Sequence, residues 1–407
     1  MGRYGLLGEH LGHSFSPQIH ALLCGYEYSL REVARDALPE FLENCGLDGM
    51  NVTIPYKKDV LPYCVQISDE VKRMGSANTL VRRADGWHAH NTDYFGFRYM
   101  LESCGYSPEG KKAVVLGNGG AAVAVVTALE DMGAGEIVII SRSGENNYDN
   151  LHLHRDADVV VNTTPLGMYP RTGVAAVSLD SFPQCRAVFD LIYNPARTKL
   201  IMDAESSGLI CRSGLSMLVA QAHRAAELFT GTEIPKSRIE EILHVLGKET
   251  ENIILIGMPG CGKSSVGREL SAITGRQFTD ADEEFLRING ISPGDMIVSQ
   301  GEEAFRRAET AVLSKLGKRS GLIIATGGGC VTREENYPLL HQNGEIFCLS
   351  RSLDKLPTEG RPLSQQNTLR ELYEKRRPMY ERFADHIIDN DSGSVHDTAV
   401  RILEAMK

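Results

Sequence analysis

The pattern G-x-x-x-x-G-K-S occupies residues 257–264 as GMPGCGKS, and it restricts that part of the chain to a strand, a glycine-rich loop and a helix. An apolar run, Ile253–Ile256, precedes the loop, as expected of a buried parallel strand. Helical periodicity follows from Ser264 to Ile273. We therefore expect an α/β domain with a parallel sheet, preceded by a separate fold.

A loop of this kind binds nucleotide phosphates. Its backbone N–H groups surround the β-phosphate, Lys263 bridges the phosphates and the hydroxyl of Ser264 ligates Mg²⁺. The pattern thus predicts ATP or GTP and magnesium as ligands, without indicating the phosphoryl acceptor. The predicted nucleotide-binding positions are Gly257, Gly260, Cys261, Gly262, Lys263, Ser264 and Ser265.

The composition is that of an ordinary enzyme of two or three domains. The 407 residues are 42% hydrophobic and carry a net charge of −10, which argues against a nucleic-acid surface. No apolar run approaches the roughly 20 residues of a membrane span and no signal peptide is evident, so we expect a cytoplasmic protein without a membrane partner. The nine cysteines form no C-x-x-C pair, which predicts reduced thiols rather than disulfides or a zinc site.

A second glycine turn lies in the first half of the chain. The apolar strand Lys112–Leu116 leads into GNGGAA at Gly117, then into a helical stretch ending at Met132 and a strand Glu136–Ile140. Such a turn lets the backbone approach a pyrophosphate at a helix N-terminus, although a glycine cluster that serves helix packing would give the same pattern. We favour a Rossmann-type dinucleotide site.

The end of the second strand of this unit distinguishes the cofactor. NAD enzymes usually carry an acid there, which holds the ribose 2′-hydroxyl. This chain instead has Ser141-Arg142-Ser143, a cation between two hydroxyls, which suits a 2′-phosphate. NADP(H) is therefore the predicted cofactor.

Strands and helices also alternate on either side of this unit. Predicted strands are Tyr4–Leu7, Met50–Thr53, Thr79–Arg82, Asp158–Val161 and Ala187–Leu191, and predicted helices are Met217–Phe229 and Lys236–Leu246. We expect α/β structure throughout: a separate α/β unit first, a Rossmann-type NADP domain at 99–204, a linker at 248–252 and a P-loop α/β domain at 253–407.

Seven short motifs in the first half carry a family resemblance. They are GHSFSP at Gly12, NVTIPYK at Asn51, GSANTL at Gly75, NTDYFG at Asn91, NTTPLGM at Asn162, DLIYNP at Asp190 and GLSMLVAQA at Gly214. With them, residues 1–247 closely resemble shikimate dehydrogenase. The resemblance implies that residues 1–98 and 205–247 form a substrate and catalytic domain. One departure is Ser216, which stands where that family usually has glycine beside the nicotinamide.

The resemblance implies that Lys57 and Asp93 are the catalytic pair, since reduction of a ketone leaves an alkoxide that needs a proton. Taken singly, Lys57 could be a surface lysine and Asp93 a helix N-cap, and Ser14 and Ser16 could cap a helix that begins at Pro17. The implied substrate contacts are Ser14, Ser16, Thr53, Asn78, Asn91, Tyr193 and Gln221. The implied NADP contacts are Gly117, Asn118, Gly119, Gly120, Ala121, Ser141, Arg142, Ser143, Thr163 and Met217.

Residues 251–407 resemble shikimate kinase through further motifs, namely TDADEEF at Thr279, GEEAFRRAE at Gly301, ATGGGC at Ala325, GRPL at Gly360 and RRPMY at Arg376. The resemblance implies that Asp282 holds the acceptor hydroxyls and acts as base, and that Asp280 supports Mg²⁺ through water. It implies a carboxylate clamp of Arg306 and Arg377, a pocket shaped by Gly327, Gly328 and Gly329, and a lid arginine, Arg361, that contacts ATP and stabilises the transferring phosphoryl group. We expect Arg307 and Arg376 to be surface cations.

Together the two resemblances imply a bifunctional enzyme. It would reduce 3-dehydroshikimate to shikimate with NADPH and then phosphorylate shikimate to shikimate 3-phosphate with ATP and Mg²⁺. Two alternatives stay open: a metabolite sensor that kept both folds but lost turnover, and a quinate/shikimate dehydrogenase that uses NAD. The sequence predicts small-molecule partners and leaves the oligomeric state undetermined.

Overall fold

The computed structural model describes residues 2–12, 14–356 and 369–406. The chain divides into two compact units. The first comprises Met1–Met168, Val174–Asn194 and Leu200–Val245, and the second comprises Tyr169–Gly173, Pro195–Lys199 and Leu246–Lys407. Within the described residues, no helix combines the length and apolar character needed to cross a bilayer.

The first sheet has six strands in the order β2-β1-β3-β5-β6-β4. These strands are β1 (Arg3–Gly8), β2 (Glu27–Glu32), β3 (Gly49–Val52), β4 (Cys64–Ile67), β5 (Thr79–Arg83) and β6 (Gly86–His90), and the helices among them are α1 (Ser16–Leu23), α2 (Leu38–Asn44) and α3 (Asp69–Met74). Strand β1 runs parallel to β2 and β3, whereas β5 is antiparallel to β3 and β6. The hydrophobic core packed on this first sheet contains the fully buried Leu7, Met50, Tyr56 and Leu80. The first unit therefore opens with the separate α/β fold that the strand pattern predicts.

The second sheet has five parallel strands in the order β11-β10-β9-β7-β8. Its elements, together with the helices that follow it, are α4 (Asp93–Glu102), β7 (Lys112–Leu116), α5 (Gly120–Asp131), β8 (Glu136–Ile140), β9 (Val159–Asn162), β10 (Ala187–Asp190), α6 (Lys199–Ser206), β11 (Ile210–Ser213), α7 (Leu215–Thr230) and α8 (Ser237–Thr250). The strand order changes direction at β7, and open α/β sheets bind ligands outside the carboxyl ends of the strands at such a point. The predicted Rossmann arrangement is confirmed.

The third sheet, in the second unit, has parallel strands in the order β13-β14-β12-β15-β16. Its elements are β12 (Asn252–Ile256), α9 (Lys263–Thr274), β13 (Phe278–Asp280), α10 (Ala281–Asn289), α11 (Pro293–Gln300), α12 (Glu302–Gly317), β14 (Ile323–Ala325), α13 (Asn336–His341), β15 (Gly344–Ser350), α14 (Leu369–Phe383), β16 (His386–Asp389) and α15 (Val395–Ala405). The central strand β12 is buried along its whole length, which explains its unbroken apolar sequence. The P-loop leaves the carboxyl end of that strand.

Two predicted boundaries need correction. Strand β11 pairs with β10 at the edge of the second sheet, so the Rossmann domain extends past the predicted limit at residue 204. This short edge strand is only partly buried and therefore gives a weak apolar pattern. The predicted linker at 248–252 is largely regular structure, because α8 continues to Thr250 and β12 begins at Asn252.

Candidate active sites

A cavity of about 240 Å³ lies in the first unit and collects the predicted substrate residues. All of the predicted substrate and catalytic positions line it except Asn91. The lining residues are Leu6, Ser14, Ser16, His20, Asn51, Val52, Thr53, Lys57, Asn78, Asp93, Tyr193, Leu218, Gln221 and Ala222. Segments far apart in the chain thus supply one polar pocket.

Lys57 and Asp93 are in direct contact in this cavity. The Nζ atom of Lys57 donates to Asp93 Oδ2 at 2.5 Å, and the two side chains are 25% and 8% exposed. Asn78 Nδ2 donates to the other oxygen, Asp93 Oδ1, at 3.0 Å and to Gln221 Oε1 at 3.2 Å. A proton donor and a carboxylate are therefore held together where a bound ketone can reach them.

The simpler explanations of the same residues fail. Asp93 is the first residue of α4 and the N-cap position belongs to Thr92, so the carboxylate is not an N-cap. Helix α1 has Phe15 at its N-cap without a side-chain capping bond, although Ser14 Oγ accepts from the Ser16 N–H at 3.2 Å. The two serine hydroxyls also contact each other, at 3.1 Å, on the cavity wall.

Asn91 is a correction to the predicted substrate set. It is buried and does not line the cavity, because its Nδ2 donates to the carbonyl of Ser76 at 2.9 Å. Its Oδ1 accepts from the backbone N–H of Asp93 at 3.1 Å. Asn91 therefore orients the start of α4 and acts behind the catalytic carboxylate.

Sequence reasoning missed Asn51 and His20 on the cavity wall. Asn51 lies in β3 two positions before Thr53, and residues two apart in an extended segment share a face. That spacing was visible inside the NVTIPYK motif. His20 carried no comparable signal, because a lone apolar-face histidine in α1 resembles a core residue.

The glycine turn after β7 has the features of a dinucleotide site. A Cβ on Gly119 or Gly120 would meet no other protein atom within 4 Å, so helix packing does not require glycine at either position. Gly117, with φ at +102°, does face protein, since a Cβ there would lie 2.8 Å from Thr163 Oγ1. Thr163 in turn donates to the carbonyl of Leu116 at 2.7 Å. The exposed backbone at the N-terminus of α5 thus fits a pyrophosphate.

The other predicted NADP residues lie around the same sheet edge. Ser141, Arg142 and Ser143 follow the end of β8, with Ser141 buried and the other two exposed. Asn118 is exposed in the turn and Ala121 lies in the first turn of α5. Met217 is buried near the start of α7. The Arg142 side chain is thus exposed just after the end of β8, as expected of a residue that binds a 2′-phosphate.

In the second unit the P-loop has the expected form. Gly257, Gly260 and Gly262 have φ values of +136°, +83° and +106°, which favour glycine. Lys263 is 8% exposed and its Nζ donates to the carbonyls of Gly257 and Met258 at 2.9 and 3.0 Å. The lysine is thereby held over the loop whose N–H groups bind phosphate.

The two residues predicted to hold magnesium, Ser264 and Asp280, are in direct contact. The Ser264 hydroxyl donates to Asp280 Oδ2 at 2.6 Å, and Asp280 also caps α10 by accepting from the Asp282 N–H at 3.0 Å. A hydroxyl and a carboxylate at this distance suit Mg²⁺, which takes few protein ligands alongside phosphate and water. In the described part of the chain no cluster of three His, Cys, Asp or Glu side chains could hold a metal ion.

Two of the three glycines after β14, Gly327 and Gly329, are packed tightly against charged groups, and Gly328 is packed against Pro259. A Cβ on Gly327 would lie 2.6 Å from Glu309 Oε1 and 3.2 Å from Asp282 Oδ1, and one on Gly329 would collide with the Arg306 guanidinium. Glycine is therefore required here for the backbone to approach two carboxylates and a cation. Asp282 is exposed in the first turn of α10, as a residue that contacts a substrate should be.

Arg306 has the buried position predicted for a carboxylate ligand. Its Nη1 donates to Glu309 Oε2 at 2.7 Å and its Nη2 to Glu302 Oε1 at 3.1 Å. Arg306 Nε and Glu309 Oε1 are buried and have no hydrogen-bond partner among the described residues. Glu309 was not predicted, although it follows Arg306 by one helical turn.

The prediction for the second clamp arginine was wrong. Arg377 points away from the site, with a side chain 62% exposed that pairs with Glu381 at 2.8 Å. Arg376, expected on the surface, is instead 5% exposed and its Nη1 donates to the carbonyl of Gly328 at 3.2 Å. Arg376 shares the buried face of α14 with Tyr380, four residues later, whereas Arg377 lies on the outer face. The four-residue spacing between Arg376 and Tyr380 was the signal in the sequence that could have identified Arg376 as the inward-facing arginine.

Arg376 also borders a cavity of about 340 Å³. The lining residues are Glu302, Thr332, Glu371, Leu372, Lys375, Arg376 and Met379. Glu302 pairs with Arg306, and the Arg306 guanidinium lies against Gly329. This cavity therefore adjoins the pocket at Gly327, Gly328 and Gly329. The predicted lid arginine, Arg361, lies outside the described residues.

The fold and sites define two nucleotide-dependent enzyme domains, one with a Rossmann turn beside a lysine–carboxylate pocket and one with a P-loop beside an arginine pocket. A family model for the shikimate dehydrogenase substrate binding domain matches residues 6–80, and one for shikimate kinase matches residues 259–407. The NADP(+)-dependent shikimate dehydrogenase of Clostridium perfringens (strain 13 / Type A) is 38% identical over 267 residues, covering 60% of this chain and 98% of the relative. The chain belongs to the shikimate dehydrogenase family, and its second unit carries a shikimate kinase domain.

Solved structures agree for the first unit. A chorismate mutase/shikimate 5-dehydrogenase fusion protein from Clostridium acetobutylicum is 36% identical with a TM-score of 0.58, covering 60% of this chain and 97% of the other. Shikimate 5-dehydrogenase from Thermus thermophilus, solved with NADP(H) and shikimate, is 31% identical with a TM-score of 0.55, covering 59% and 98%.

Proposed function

We propose that this chain is a bifunctional enzyme that reduces 3-dehydroshikimate to shikimate with NADPH and phosphorylates shikimate to shikimate 3-phosphate with ATP and Mg²⁺. The observation that carries the proposal is the pairing, in each half, of a phosphate-binding loop with a separate polar pocket. The first pocket holds a proton donor on a carboxylate, Lys57 on Asp93. The second holds buried arginines, Arg306 and Arg376.

In the dehydrogenase half, NADPH supplies the hydride when bound. The exposed backbone of Gly119 and Gly120 would bind its pyrophosphate, and the exposed Arg142 would bind its 2′-phosphate. Lys57 polarises the ketone oxygen and donates a proton to the alkoxide as the ketone is reduced. Asp93 holds the lysine in place, and Asn78 keeps Asp93 oriented through its second oxygen. Ser14 and Ser16 donate to the substrate carboxylate.

In the kinase half, the second pocket binds the carboxylate of shikimate with Arg306 and Arg376. Asp282 lies beside Gly327, where it orients the acceptor hydroxyl and accepts its proton. Lys263 would neutralise charge on the transferring phosphoryl group, and Ser264 with Asp280 would hold Mg²⁺. Because positioning and charge neutralisation dominate phosphoryl transfer, we expect the reaction to depend on these groups together with Arg361.

A metabolite sensor would need pockets but no proton donor or phosphoryl clamp. The contact of Lys57 with Asp93 and the contacts of Lys263 with the carbonyls of the P-loop support an enzyme over a sensor. The decisive experiment is a coupled assay in which purified chain receives 3-dehydroshikimate, NADPH, ATP and Mg²⁺, with absorbance at the NADPH band and shikimate 3-phosphate both followed. Loss of NADPH with formation of shikimate 3-phosphate supports the proposal. Thermal stabilisation by 3-dehydroshikimate without either product would favour a sensor.

The cofactor and substrate preferences need a separate comparison. Arg142 predicts faster oxidation of shikimate with NADP than with NAD. Rates with quinate and shikimate, each measured with both cofactors, test this. A higher kcat/KM for quinate with NAD would replace the proposal by a quinate/shikimate dehydrogenase.

A further inference from the structure

His20 lines the dehydrogenase cavity but has no role in the reaction as described above. It lies on α1 one turn after Ser16, so the two side chains share a helix face. The side chain is buried, at 1% exposure, and its ring stacks on Tyr28 with centroids 4.0 Å apart and an interplanar angle of 11°. A buried imidazole on the wall of a polar pocket needs partners for both nitrogens.

The hydrogen bonds of His20 define its tautomer. Nε2 lies 3.1 Å from Asn51 Oδ1, and Nδ1 lies 2.6 Å from the Tyr26 hydroxyl. An amide oxygen only accepts, so Nε2 carries the hydrogen and Nδ1 accepts from Tyr26. Burial lowers the pKa of His20 to about 3, an effect that the hydrogen bond to Asn51 only partly offsets. The ring therefore stays neutral and keeps its single donor at Nε2.

These bonds continue to the residues that face the substrate. Asn51 Oδ1 also accepts from the Tyr28 hydroxyl at 2.7 Å. Because Oδ1 accepts two donors, the Asn51 amide is fixed with Nδ2 on the opposite side, where it donates to Thr79 Oγ1 at 3.1 Å. The hydrogen bonds of His20 and Tyr28 thus meet on one oxygen of Asn51, a residue of the cavity wall.

We infer that His20 is a positioning residue for the reduction: its Nε2–H, together with the Tyr28 hydroxyl, holds the Asn51 amide in the orientation that receives the ring acid. The inference rests on the proposed function, since the ligand of this cavity is taken to be 3-dehydroshikimate. A histidine that only filled space would be replaceable by any neutral side chain of similar size. A positioning histidine is replaceable only by a side chain that keeps the donor to Asn51.

Two amide substitutions separate these roles. In His20→Gln the amide nitrogen reaches the place of Nε2, whereas in His20→Asn it reaches only the place of Nδ1. We expect His20→Asn to raise KM for 3-dehydroshikimate by about tenfold or more and His20→Gln by less than about threefold, with KM for NADPH changed by less than about twofold in both. Tyr28→Phe keeps the ring stack but removes the second donor to Asn51, and we expect it to raise the same KM even if His20→Asn does not fold.

The matched control is His223→Gln, because His223 is also 1% exposed and bonds through Nε2 to the Ile234 carbonyl, but does not line the cavity. Kinase turnover of each variant serves as an internal measure of folded chain. Equal KM values for His20→Asn and His20→Gln, or KM changes that follow the unfolding temperature across all variants, would overturn the positioning role. A wild-type chain that does not reduce 3-dehydroshikimate would instead refute the proposed function.

Discussion

Arg306 and Glu309, one turn apart on α12, form a buried ion pair with Nη1 and Oε2 at 2.7 Å and side chains 7% and 5% exposed. Burial raises the pKa of Glu309, and the neighbouring guanidinium opposes that rise. The pair fixes a cation against Gly329 and leaves one carboxylate oxygen facing Gly327. The Arg306 guanidinium is thus fixed in the kinase pocket before a ligand binds, and it has little contact with solvent.

Glu309→Ala should strongly destabilise the kinase half, because it leaves Arg306 buried without its main partner. We expect a loss of about 3–5 kcal/mol in the free energy of unfolding of that half, measured by calorimetry. Glu303→Ala is the control, since Glu303 is 68% exposed and pairs with Arg307 on the surface, and its other partner, Arg333, keeps its pair with Glu335; it should cost less than about 1 kcal/mol. Equal losses in the two variants would show that the buried pair has no special role.

Arg376 and Arg377 offer a direct test of the corrected carboxylate site. Arg376→Met should raise KM for shikimate by about tenfold or more, since it removes a buried cation beside Gly328. Arg377→Met should change KM by less than about twofold. KM for shikimate is measured for both variants by steady-state kinetics of the kinase reaction. A larger increase in Arg377→Met than in Arg376→Met would show that Arg377 binds the shikimate carboxylate.

Lys57→Ala should lower the rate of 3-dehydroshikimate reduction by about 10²–10⁴-fold and leave kinase turnover unchanged, because the proton donor is lost from one pocket only. Lys263→Ala should do the reverse. Both activities are measured on the same purified chain. Loss of both in either variant would contradict independent sites.

Gly119→Ala should separate cofactor binding from folding. The glycine has φ at −80°, and a Cβ would meet no other protein atom within 4 Å, so alanine should fit the folded chain and leave its stability unchanged or slightly higher. The same Cβ would obstruct the pyrophosphate that we propose binds this backbone, so KM for NADPH should rise by about tenfold. Unfolding is followed by the fluorescence of Trp87, the single tryptophan of the sequence, which is buried in the first unit. An unchanged KM for NADPH would indicate that the glycine turn serves helix packing and does not bind the cofactor.

The stability of the dehydrogenase half should fall in mild acid because of His20. Burial lowers its pKa from 6.5 to about 3, so between these values the unfolded chain binds a proton that the folded chain does not. Above pH 6.5 the stability that depends on neutral His20 is fully present. Below pH 6.5 the free energy of unfolding falls by about 1.4 kcal/mol for each pH unit. From pH 7 to pH 5, wild type should therefore lose about 2 kcal/mol more than His20→Gln, measured by denaturant unfolding at Trp87. Parallel pH curves would contradict a neutral buried imidazole.

Much of the candidate site was readable because it lies in short continuous motifs. The P-loop, the turn at Gly117 and the motifs around Lys57 and Asp93 each place several functional atoms within a few residues. Errors arose where side-chain direction decides the role. Asn51 faces the cavity while Asn91 faces the backbone of Ser76, and both are asparagines inside recognised motifs.

The sequence alone determined the three α/β folds and the two reaction types, because strand periodicity, glycine turns and loop motifs are local properties. Only the tertiary structure decided that β11 joins the second sheet, that α8 continues almost to β12 and that Arg376 rather than Arg377 enters the kinase pocket. The physical reason is that burial depends on which distant segment covers a residue. Neighbouring arginines of one helix look alike until packing turns one inward and leaves the other in water.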